Sequence, residues 1–301
     1  MNAGTTGNRR PGNNSKPSLW LLAPALVLFG ILGVLPLFGA VLLSFTNWDG
    51  MRSPAWDGFD SWTAVLQDPI TWLTLRNTIQ VVVGSVIVQA PISLLIGVYT
   101  AREGRFRVTL AALFFLPLVL SSAAVAIMFK NLLDPNFGLT SAQGIAFLAR
   151  NWLGNPNTVL WTVILIIAWH FIPLHALLYQ AGTRQIPKSL YDAAVMDGAG
   201  TVRQFLSITL PQLRHTIVTS TTLMVVGSLN FFDLIFVLTG GGPGYASRVL
   251  PLHMYLTGFQ GTEMGKASVI ATFLAVLGLT LSVLVTQLTG FSKMRSEQEG
   301  I

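Results

Sequence analysis

The stretch from residue 184 to residue 211 reads RQIPKSLYDAAVMDGAGTVRQFLSITLP. It is polar and charged, it contains glycines, and it lies between two long apolar segments. In an otherwise apolar chain, a polar segment of this length indicates a loop that leaves the membrane and presents a surface to a partner.

Composition places the whole chain in a membrane. Of its 301 residues, 52% are hydrophobic and only 10% are charged, and the mean hydropathy is +0.62. Soluble domains carry about 25% charged residues, so these charges are too few to cover a soluble surface. Cysteine is absent, which excludes disulfides and thiol catalysis. The four histidines do not have a metal-binding spacing, so no metal site is expected.

Six apolar segments predict an all-α, polytopic membrane protein with six transmembrane helices. In chain order they cover residues 19–45, 77–101, 108–129, 158–181, 213–238 and 265–289. Pro91, Pro117 and Pro173 predict kinks in three of these helices. Gly84 and Gly97 lack side chains and so permit close packing between helices.

The distribution of basic residues predicts the orientation of the chain. With six spans, both termini lie on one side, and that side collects twelve of the 18 lysines and arginines, against six on the other. The positive-inside rule therefore places both termini and the 184–211 segment in the cytoplasm. The net charge of +6 is accordingly interpreted as a topology signal, and no nucleic-acid partner is expected.

Capping signals predict a short helix in the first half of the 184–211 segment. Ser189 followed three residues later by Asp192 has the pattern of a capping box, so the helix is expected to start at Ser189. Gly198 or Gly200 can end it in a left-handed conformation. The result is a short cytoplasmic helix between the fourth and fifth spans.

A second short helix is expected in the other half. Thr201 and Gln204 form a second capping-box pattern, and Pro211 marks the entry into the fifth span. Small residues at 193–194 and 198–200 would let another protein approach closely. The alternative is a solvated loop in which alanine and glycine suit local geometry and Asp192 only caps its helix.

The motif carried by this segment resembles a known family. Residues 192–199, DAAVMDGA, followed by Phe205 and the ITLP motif at 208–211, resemble the EAA loop of binding-protein-dependent ABC importer permeases. The resemblance implies that the loop is a coupling helix seated in a cleft of an ATPase subunit. The implied coupling residues are Asp192, Ala193, Ala194, Asp197, Gly198 and Ala199. Asp192 stands where the family usually has a longer glutamate.

Other motifs resemble the carbohydrate-uptake branch of that family, the relatives of the maltose and glycerol-3-phosphate permeases. These are SFTNW at 44–48, DPITWLTLRNT at 68–78, Asp233, and LTGGGP at 238–243. The resemblance covers about residues 19–290. It implies four regions: a disordered basic tail at 1–18, a first transmembrane helix and extracellular loop at 19–72, an ABC importer type I transmembrane domain at 73–290, and a cytoplasmic tail at 291–301.

Four residues are candidates for the substrate path. Asp233 is a carboxylate in an apolar span, and such residues are functional candidates by default. Asn230 and Phe231 lie beside it and could offer a polar group and an aromatic face to a sugar. His170 lies next to the kink expected at Pro173. The alternatives are a helix cap for Asp233, packing for Phe231, and a hydrogen bond to a neighbouring helix for His170.

The resemblance implies a permease subunit of an ATP-driven importer for a sugar or related polyol, in a bacterial cell membrane. Its partners would be a second permease subunit, two ATPase subunits, an extracellular solute-binding protein and the lipid bilayer. The sequence contains no Gly-x-x-x-x-Gly-Lys-Ser/Thr motif, so ATP and Mg would bind to the partner ATPase and this chain would not be an enzyme. The alternatives are a stand-alone secondary transporter or channel, which would need ion-coupling charges and usually repeats, and a membrane enzyme, which would need a convergent catalytic set.

Overall fold

The computed structural model describes residues 22–138 and 150–288. These residues are mainly α-helical, as expected. Four helices are each long and apolar enough to cross a membrane, and two bent pairs of helices bring the number to as many as six. The predicted tails at 1–18 and 291–301 lie outside the described residues.

The elements are labelled in chain order. The helices are α1 (Ala23–Leu43), α2 (Asp60–Gln67), α3 (Pro69–Ala101), α4 (Arg105–Val119), α5 (Ser122–Leu132), α6 (Val159–Arg184), α7 (Lys188–Met196), α8 (Thr201–Gln204), α9 (Arg214–Ser228), α10 (Asp233–Thr239), α11 (Leu250–Tyr255) and α12 (Met264–Leu288). Two strands, β1 (Thr46–Asn47) and β2 (Ala55–Trp56), pair antiparallel between α1 and α2.

Within residues 22–138 and 150–288, single π-helical turns occur in three places. Gly30–Val34 lies inside α1, Phe205–Thr209 follows α8, and Leu256–Gln260 follows α11. The turn after α8 continues into a short helical piece, Leu210–Gln212. A π turn replaces the regular α-helical hydrogen bonds with wider ones, so it changes the direction of the helix without ending the helix.

The long helix α3 begins eight residues earlier than the sequence predicts. Its start is fixed by Asp68, whose carboxylate accepts a hydrogen bond from the backbone N–H of Ile70 at 2.9 Å, and by Pro69 in the first helical position. Both are ordinary helix-start signals. With 33 residues, α3 is about 50 Å long and extends beyond the ~30 Å apolar core of a bilayer.

The core is built around α3 and α6, which share the most extensive interface in the described chain. Two glycines on α3 permit this approach, as predicted. A Cβ atom at Gly97 would lie 2.6 Å from the carbonyl oxygen of Ala176, and one at Gly84 would lie 2.8 Å from Cδ1 of Ile164. The backbones of the two helices are therefore nearly in contact.

Two of the predicted continuous spans are wrong in detail because each is broken. The third span is divided between α4 and α5, which meet at 96°. Pro117 lies just before this break, and Ser121 starts α5 by accepting a hydrogen bond from Ala124 N–H at 3.2 Å. The fifth span is divided between α9 and α10, which meet at 50°. No proline lies at this second break, so the sequence contains no kink signal there. Hydropathy alone could not reveal the break.

A polar junction joins the start of α3 to the chain before α11. The side-chain amide of Asn77, fully buried, donates to the carbonyl oxygens of Tyr245 at 3.0 Å and Arg248 at 2.9 Å. Next to it, Thr78 Oγ1 accepts a hydrogen bond from Leu250 N–H at 2.9 Å. These bonds fix the 240–250 segment against α3 although about 170 residues separate them.

His253 is the titratable group of this junction. Its side chain is buried, and Nε2 lies 3.8 Å from Asp68 Oδ2. Burial lowers the pKa of His253 below its usual value of 6.5, the Arg248 guanidinium lowers it further, and Asp68 opposes both. The imidazole is therefore neutral near neutral pH, and its approach to Asp68 is not an ion pair under those conditions.

This shift predicts a pH-dependent stability. Because the folded state binds a proton on His253 less readily than the unfolded state does, the free energy of unfolding should fall as pH drops below 6.5 towards the lowered pKa. The slope from one proton is at most about 1.4 kcal/mol per pH unit. Thermal unfolding of the purified complex between about pH 8 and about pH 5 measures it. The slope should be smaller in His253→Gln than in the unsubstituted protein; an equal slope in the two proteins would contradict the assignment.

Candidate functional site

The predicted cytoplasmic helix is present as α7, but its start differs from the prediction. The residue before the helix is Pro187, and no side chain caps it. Ser189 already lies inside the first turn, so the capping box with Asp192 is wrong. Proline at this boundary, with φ of −58°, is preset for the turn into a helix. Asp192 is consequently a mid-helix residue and does not cap its own helix.

The end of α7 agrees with the prediction. Gly198 has φ of +71°, a left-handed conformation that favours glycine. Its N–H donates to the Val195 carbonyl at 3.0 Å, and the N–H of Ala199 donates to the Ala194 carbonyl at 2.8 Å. This pair of bonds is a Schellman motif. Gly200 has φ of −69°, so Gly198 is the residue that ends the helix.

The second predicted capping box is also wrong. Gly200, and not Thr201, precedes α8, and no side chain caps it. The Gln204 side chain instead donates from Nε2 to the Ala199 carbonyl at 2.8 Å. Because Ala199 follows directly from α7, this bond joins the two short helices.

Two further hydrogen bonds lie around α7: one joins α7 to the π turn before α9, and the other joins the end of α6 to the end of α3. Tyr191 on α7 bonds through its hydroxyl to Thr209 Oγ1 at 2.9 Å, in the π turn that leads to α9. On the other side, Gln180 near the end of α6 donates to the carbonyl oxygen of Thr100 on α3 at 3.0 Å, and both residues are buried. The first bond holds α7 to the chain that enters α9, and the second holds the end of α6, which precedes α7, to the end of α3.

One face of α7 is left uncovered. No residue of α7 is buried, and the side chains of Val195 and Met196 are 61% and 88% exposed although they are apolar. Asp192, Val195 and Met196 are spaced i, i+3 and i+4, so they share one helix face; we call these three residues the α7 face. Within the described residues, the Asp192 carboxylate forms no hydrogen bond or ion pair.

The substrate-path candidates separate into a buried pair and an exposed pair. His170 and Phe231 are buried, at 3% and 9% exposure. Phe231 packs in the main core cluster, and its ring centroid lies 5.0 Å from that of Phe171. Within the described residues, Nδ1 of His170 has no hydrogen-bond partner. The Asp233 carboxylate lies within electrostatic range of the His170 imidazole, so the bend between α9 and α10 brings these candidates together.

Asn230 and Asp233 lie on the exposed side of that bend. Asn230 donates from Nδ2 to the Val226 carbonyl at 3.1 Å, closing the end of α9. Asp233 is the first residue of α10, where the positive end of the helix favours a negative charge. Asp233 therefore lies late in the fifth span, immediately after the break, where the backbone changes direction.

An aromatic row next to this bend was not predicted. Phe232, which directly precedes α10, and Phe236 on α10 stack with ring centroids 5.4 Å apart. Tyr255 lies 5.4 Å from Phe236, and Phe259 stacks on Tyr255 at 5.2 Å. The two stacked pairs are each spaced four residues apart, which was visible in the sequence, but nothing in the sequence showed that 250–260 would be helical and lie beside α10. The row offers flat apolar faces next to the polar groups of Asn230 and Asp233.

Comparison with known proteins gives consistent matches. Residues 91–291 match the family described as binding-protein-dependent transport system inner membrane component. The chain is 33% identical to the probable ABC transporter permease protein YurN of Bacillus subtilis (strain 168), over 90% of this chain and 95% of that protein. It is 31% identical to the sulfoquinovosyl glycerol transport system permease protein SmoG of Agrobacterium fabrum, over 88% and 86%.

A solved structure has the same fold. It is a bacterial alginate ABC transporter in complex with an alginate pentasaccharide-bound periplasmic protein, and one of its chains superposes with a TM-score of 0.78 at 21% identity. The superposition covers 90% of this chain and 94% of that one.

Proposed function

This chain belongs to the family of binding-protein-dependent transport system inner membrane components, and from that premise we propose that it is the permease subunit of an ATP-driven importer for a sugar or related polyol. It is a multi-pass protein of the cell membrane and is not itself the ATPase. The observation that carries the proposal is the α7 face, an acid and two apolar side chains left uncovered on a helix that is hydrogen-bonded to the turn before α9.

The proposed topology has six spans, with each bent pair counted as one. Twelve of the 18 basic residues then fall on the side that carries α7, which supports a cytoplasmic location for α7 and for both termini. The segment 73–290 is proposed as the importer-type transmembrane domain, preceded by the first helix and an extracellular loop at 19–72.

In this proposal α7 is the coupling helix. Asp192, Ala193, Ala194, Asp197, Gly198 and Ala199 would meet a cleft of the ATPase subunit. ATP and Mg, bound by two such subunits, would draw the ATPase pair together. The bonds of Tyr191 and Gln204 would make α7 and α8 move as one body, and this movement would reorient α6 and α9 and switch access to the substrate path.

The remaining proposed partners are a second permease subunit and an extracellular solute-binding protein. The main apolar stretch of α1 is 0% buried against the rest of the described chain, which leaves a whole helix available for a second permease. The alginate transporter that shares this fold was solved with a sugar-bound periplasmic protein, which supports a binding protein as the source of substrate.

The proposed substrate class rests on relatives and on chemistry. One relative is named for the transport of sulfoquinovosyl glycerol and one structural neighbour for alginate. On this chain, Asn230 and Asp233 offer polar groups at an exposed bend, and the aromatic row lies beside them. Carbohydrates are bound by this combination of hydrogen-bonding groups and flat apolar faces. His170 and Phe231 would shape the path from behind.

Co-purification tests the proposed function. A tagged copy of this chain, expressed with its neighbouring genes, should bring down a Walker-motif ATPase and a second permease. The reconstituted complex should then take up a labelled oligosaccharide only when ATP and the binding protein are supplied. Uptake by this chain alone in liposomes would instead assign it to the secondary transporters or channels.

Replacing Asp233 with alanine should slow uptake by about tenfold or more, since loss of one hydrogen bond to a charged group costs about 1.5–3 kcal/mol. Basal ATP hydrolysis and assembly should be unchanged because Asp233 is exposed and its removal leaves the core intact. Initial uptake rates into proteoliposomes give the measurement. Asp60→Ala is the matched control, because Asp60 also lies in the first turn of a helix and is exposed. Equal rates for the two variants would remove Asp233 from the path.

A further inference from the structure

A cavity of about 640 Å³ lies apart from the α7 face, at the end of the helix bundle that carries the basic turn 102–107. Its walls are the last turns of α3, the first turns of α4, and the beginning of α8 with the π turn that follows it. Neither the coupling role of α7 nor the substrate path uses this space.

The rim of the cavity carries two arginines, Arg102 and Arg107. The Arg107 guanidinium lies 5.0 Å above the ring of Tyr99, which also lines the cavity, and this cation–π contact holds it at the wall. Within residues 22–138 and 150–288, neither arginine pairs with a carboxylate; the nearby Glu103 pairs with Lys188 at 3.1 Å. Two positive charges therefore face the cavity without a negative partner among the described residues.

The deeper walls are apolar. Leu95 lies seven residues before Arg102 on α3, and Phe114 lies seven residues after Arg107 on α4. At ~1.5 Å per residue, these side chains lie about 10 Å further along the bundle than the arginines. The cavity thus has a cationic rim and an apolar interior, and the change occurs along the axes of α3 and α4.

We propose that this cavity binds one anionic phospholipid of the cytoplasmic leaflet. Its phosphate would lie on Arg102 and Arg107, and an acyl chain would lie along Leu95 and Phe114. Guanidinium groups bind phosphate through paired hydrogen bonds, and basic pockets between membrane helices on the cytoplasmic side suit anionic headgroups. The proposal rests on the proposed orientation, which places residues 102–107 at the cytoplasmic surface.

The charge and the depth of the cavity favour a lipid over other occupants. A sugar would leave the apolar interior without hydrogen-bonding partners, and a soluble ATPase would not extend about 10 Å into the bilayer core. A phospholipid matches both parts at once. Bound there, it would brace α4 against the segment that joins the coupling helix to α9.

Native mass spectrometry of the assembled importer tests this proposal. The purified complex is incubated with phosphatidylglycerol or phosphatidylcholine of identical acyl chains, and retained lipids are counted. Phosphatidylglycerol should be preferred. In the double variant Arg102→Gln and Arg107→Gln, the affinity for phosphatidylglycerol should fall by about 25-fold. Each interfacial basic residue contributes a factor of roughly five, and the two factors multiply. The double substitution by lysine, which keeps both charges, should retain most of the preference.

Arg105→Gln is the matched control, because Arg105 belongs to the same basic turn but does not line the cavity. It should leave the preference unchanged. Equal loss in this control would mean diffuse surface attraction, and equal retention of the two lipids by the wild type would mean no anionic site; either result overturns the proposal. A photo-crosslinker at Leu95 that captures a protein subunit and no lipid would also overturn it.

These outcomes are independent of the proposed transport function. Lipid retention is scored by mass, so an importer that transports normally but shows no lipid preference would refute the lipid site alone. Labelling of an Arg105→Cys variant from outside intact cells would instead refute the proposed orientation.

Discussion

Changing Asp192 to lysine is expected to abolish ATP hydrolysis stimulated by the loaded binding protein, while the complex still inserts in the membrane. Asp192 is exposed, lies in the middle of α7, and forms no hydrogen bond or ion pair with the described part of its own chain. The substitution should therefore leave the fold of this chain intact. If the carboxylate meets a basic group in the ATPase cleft, reversing its charge leaves two like charges buried together, at a cost of about 2–5 kcal/mol.

The size of that penalty predicts a loss of at least about 30-fold in stimulated hydrolysis or in ATPase association. Glu103→Lys is the control, because it makes the same charge change at an exposed site at the same end of the bundle. Its ion pair with Lys188 is exposed and contributes little. The measurement is the ATPase activity of the reconstituted complex with and without binding protein. Full stimulation of the Asp192→Lys variant would contradict the proposed coupling role of Asp192.

Replacing Asp192 with glutamate separates reach from charge. The family that this chain resembles usually has the longer acid, so glutamate should couple at least as well as aspartate. Asn should couple poorly because it keeps the shape and loses the charge. Since Asp192 does not cap α7, none of these effects can be assigned to the stability of the helix start.

The sequence predicted the helices that depend on long apolar runs. The spans observed as α1, α6 and α12 begin or end within about four residues of their predicted limits, because hydropathy over many residues is insensitive to single positions. The start of α3 was missed because polar and aromatic residues at 69–76 look like a loop, although Asp68 and Pro69 form an ordinary helix start.

Local capping was predicted less well. Ser189 and Thr201 both have capping-box spacing, yet Pro187 and Gly200 precede the helices instead. The pattern shows that a side chain could cap a helix, and it does not show which residue the backbone places at the boundary. Gly198 was predictable because a left-handed backbone conformation favours glycine strongly over other residues.

The sequence predicted individual residues of the candidate site, but it did not predict how these residues are grouped in space. Asp233 and Asn230 stood out because polar residues are rare in apolar spans. Their grouping with the row that includes Phe236 and Tyr255 depends on the break after α9 and on the unexpected helix α11. Both are set by contacts between segments far apart in the chain, such as the bonds from Asn77, which single-sequence patterns do not record.

Changing Gly97 to alanine should destabilise the protein, and it should also remove the stimulation of ATP hydrolysis by the binding protein. An added Cβ would lie 2.6 Å from the Ala176 carbonyl oxygen, 2.6 Å from the Tyr179 Cβ and 3.0 Å from the Gln180 backbone nitrogen. Two of these three atoms are backbone, so no side-chain rotation relieves the clash and α3 must move away from α6. Overpacking of this kind costs about 1–3 kcal/mol.

Gly227→Ala is the matched control, because Gly227 also lies inside a membrane helix but has no atom within 4 Å of an added Cβ. That substitution should be neutral or stabilising by up to about 1 kcal/mol, since alanine is a better helix former than glycine. The midpoint of thermal unfolding in detergent compares the two variants. Equal midpoints would mean that the contact between α3 and α6 is looser than its geometry indicates.

Movement of α3 away from α6 at Gly97 should also displace α7, the proposed coupling helix. The buried bond from Gln180 to the Thr100 carbonyl lies within one turn of the clash on both helices, and α7 begins eight residues after Gln180. A shift there would change the position of Asp192 relative to the membrane helices. We therefore expect Gly97→Ala to retain basal ATP hydrolysis but to lose stimulation by the binding protein, even at temperatures where it remains folded. Normal stimulation in a measurably destabilised variant would show that α7 is positioned independently of this helix contact.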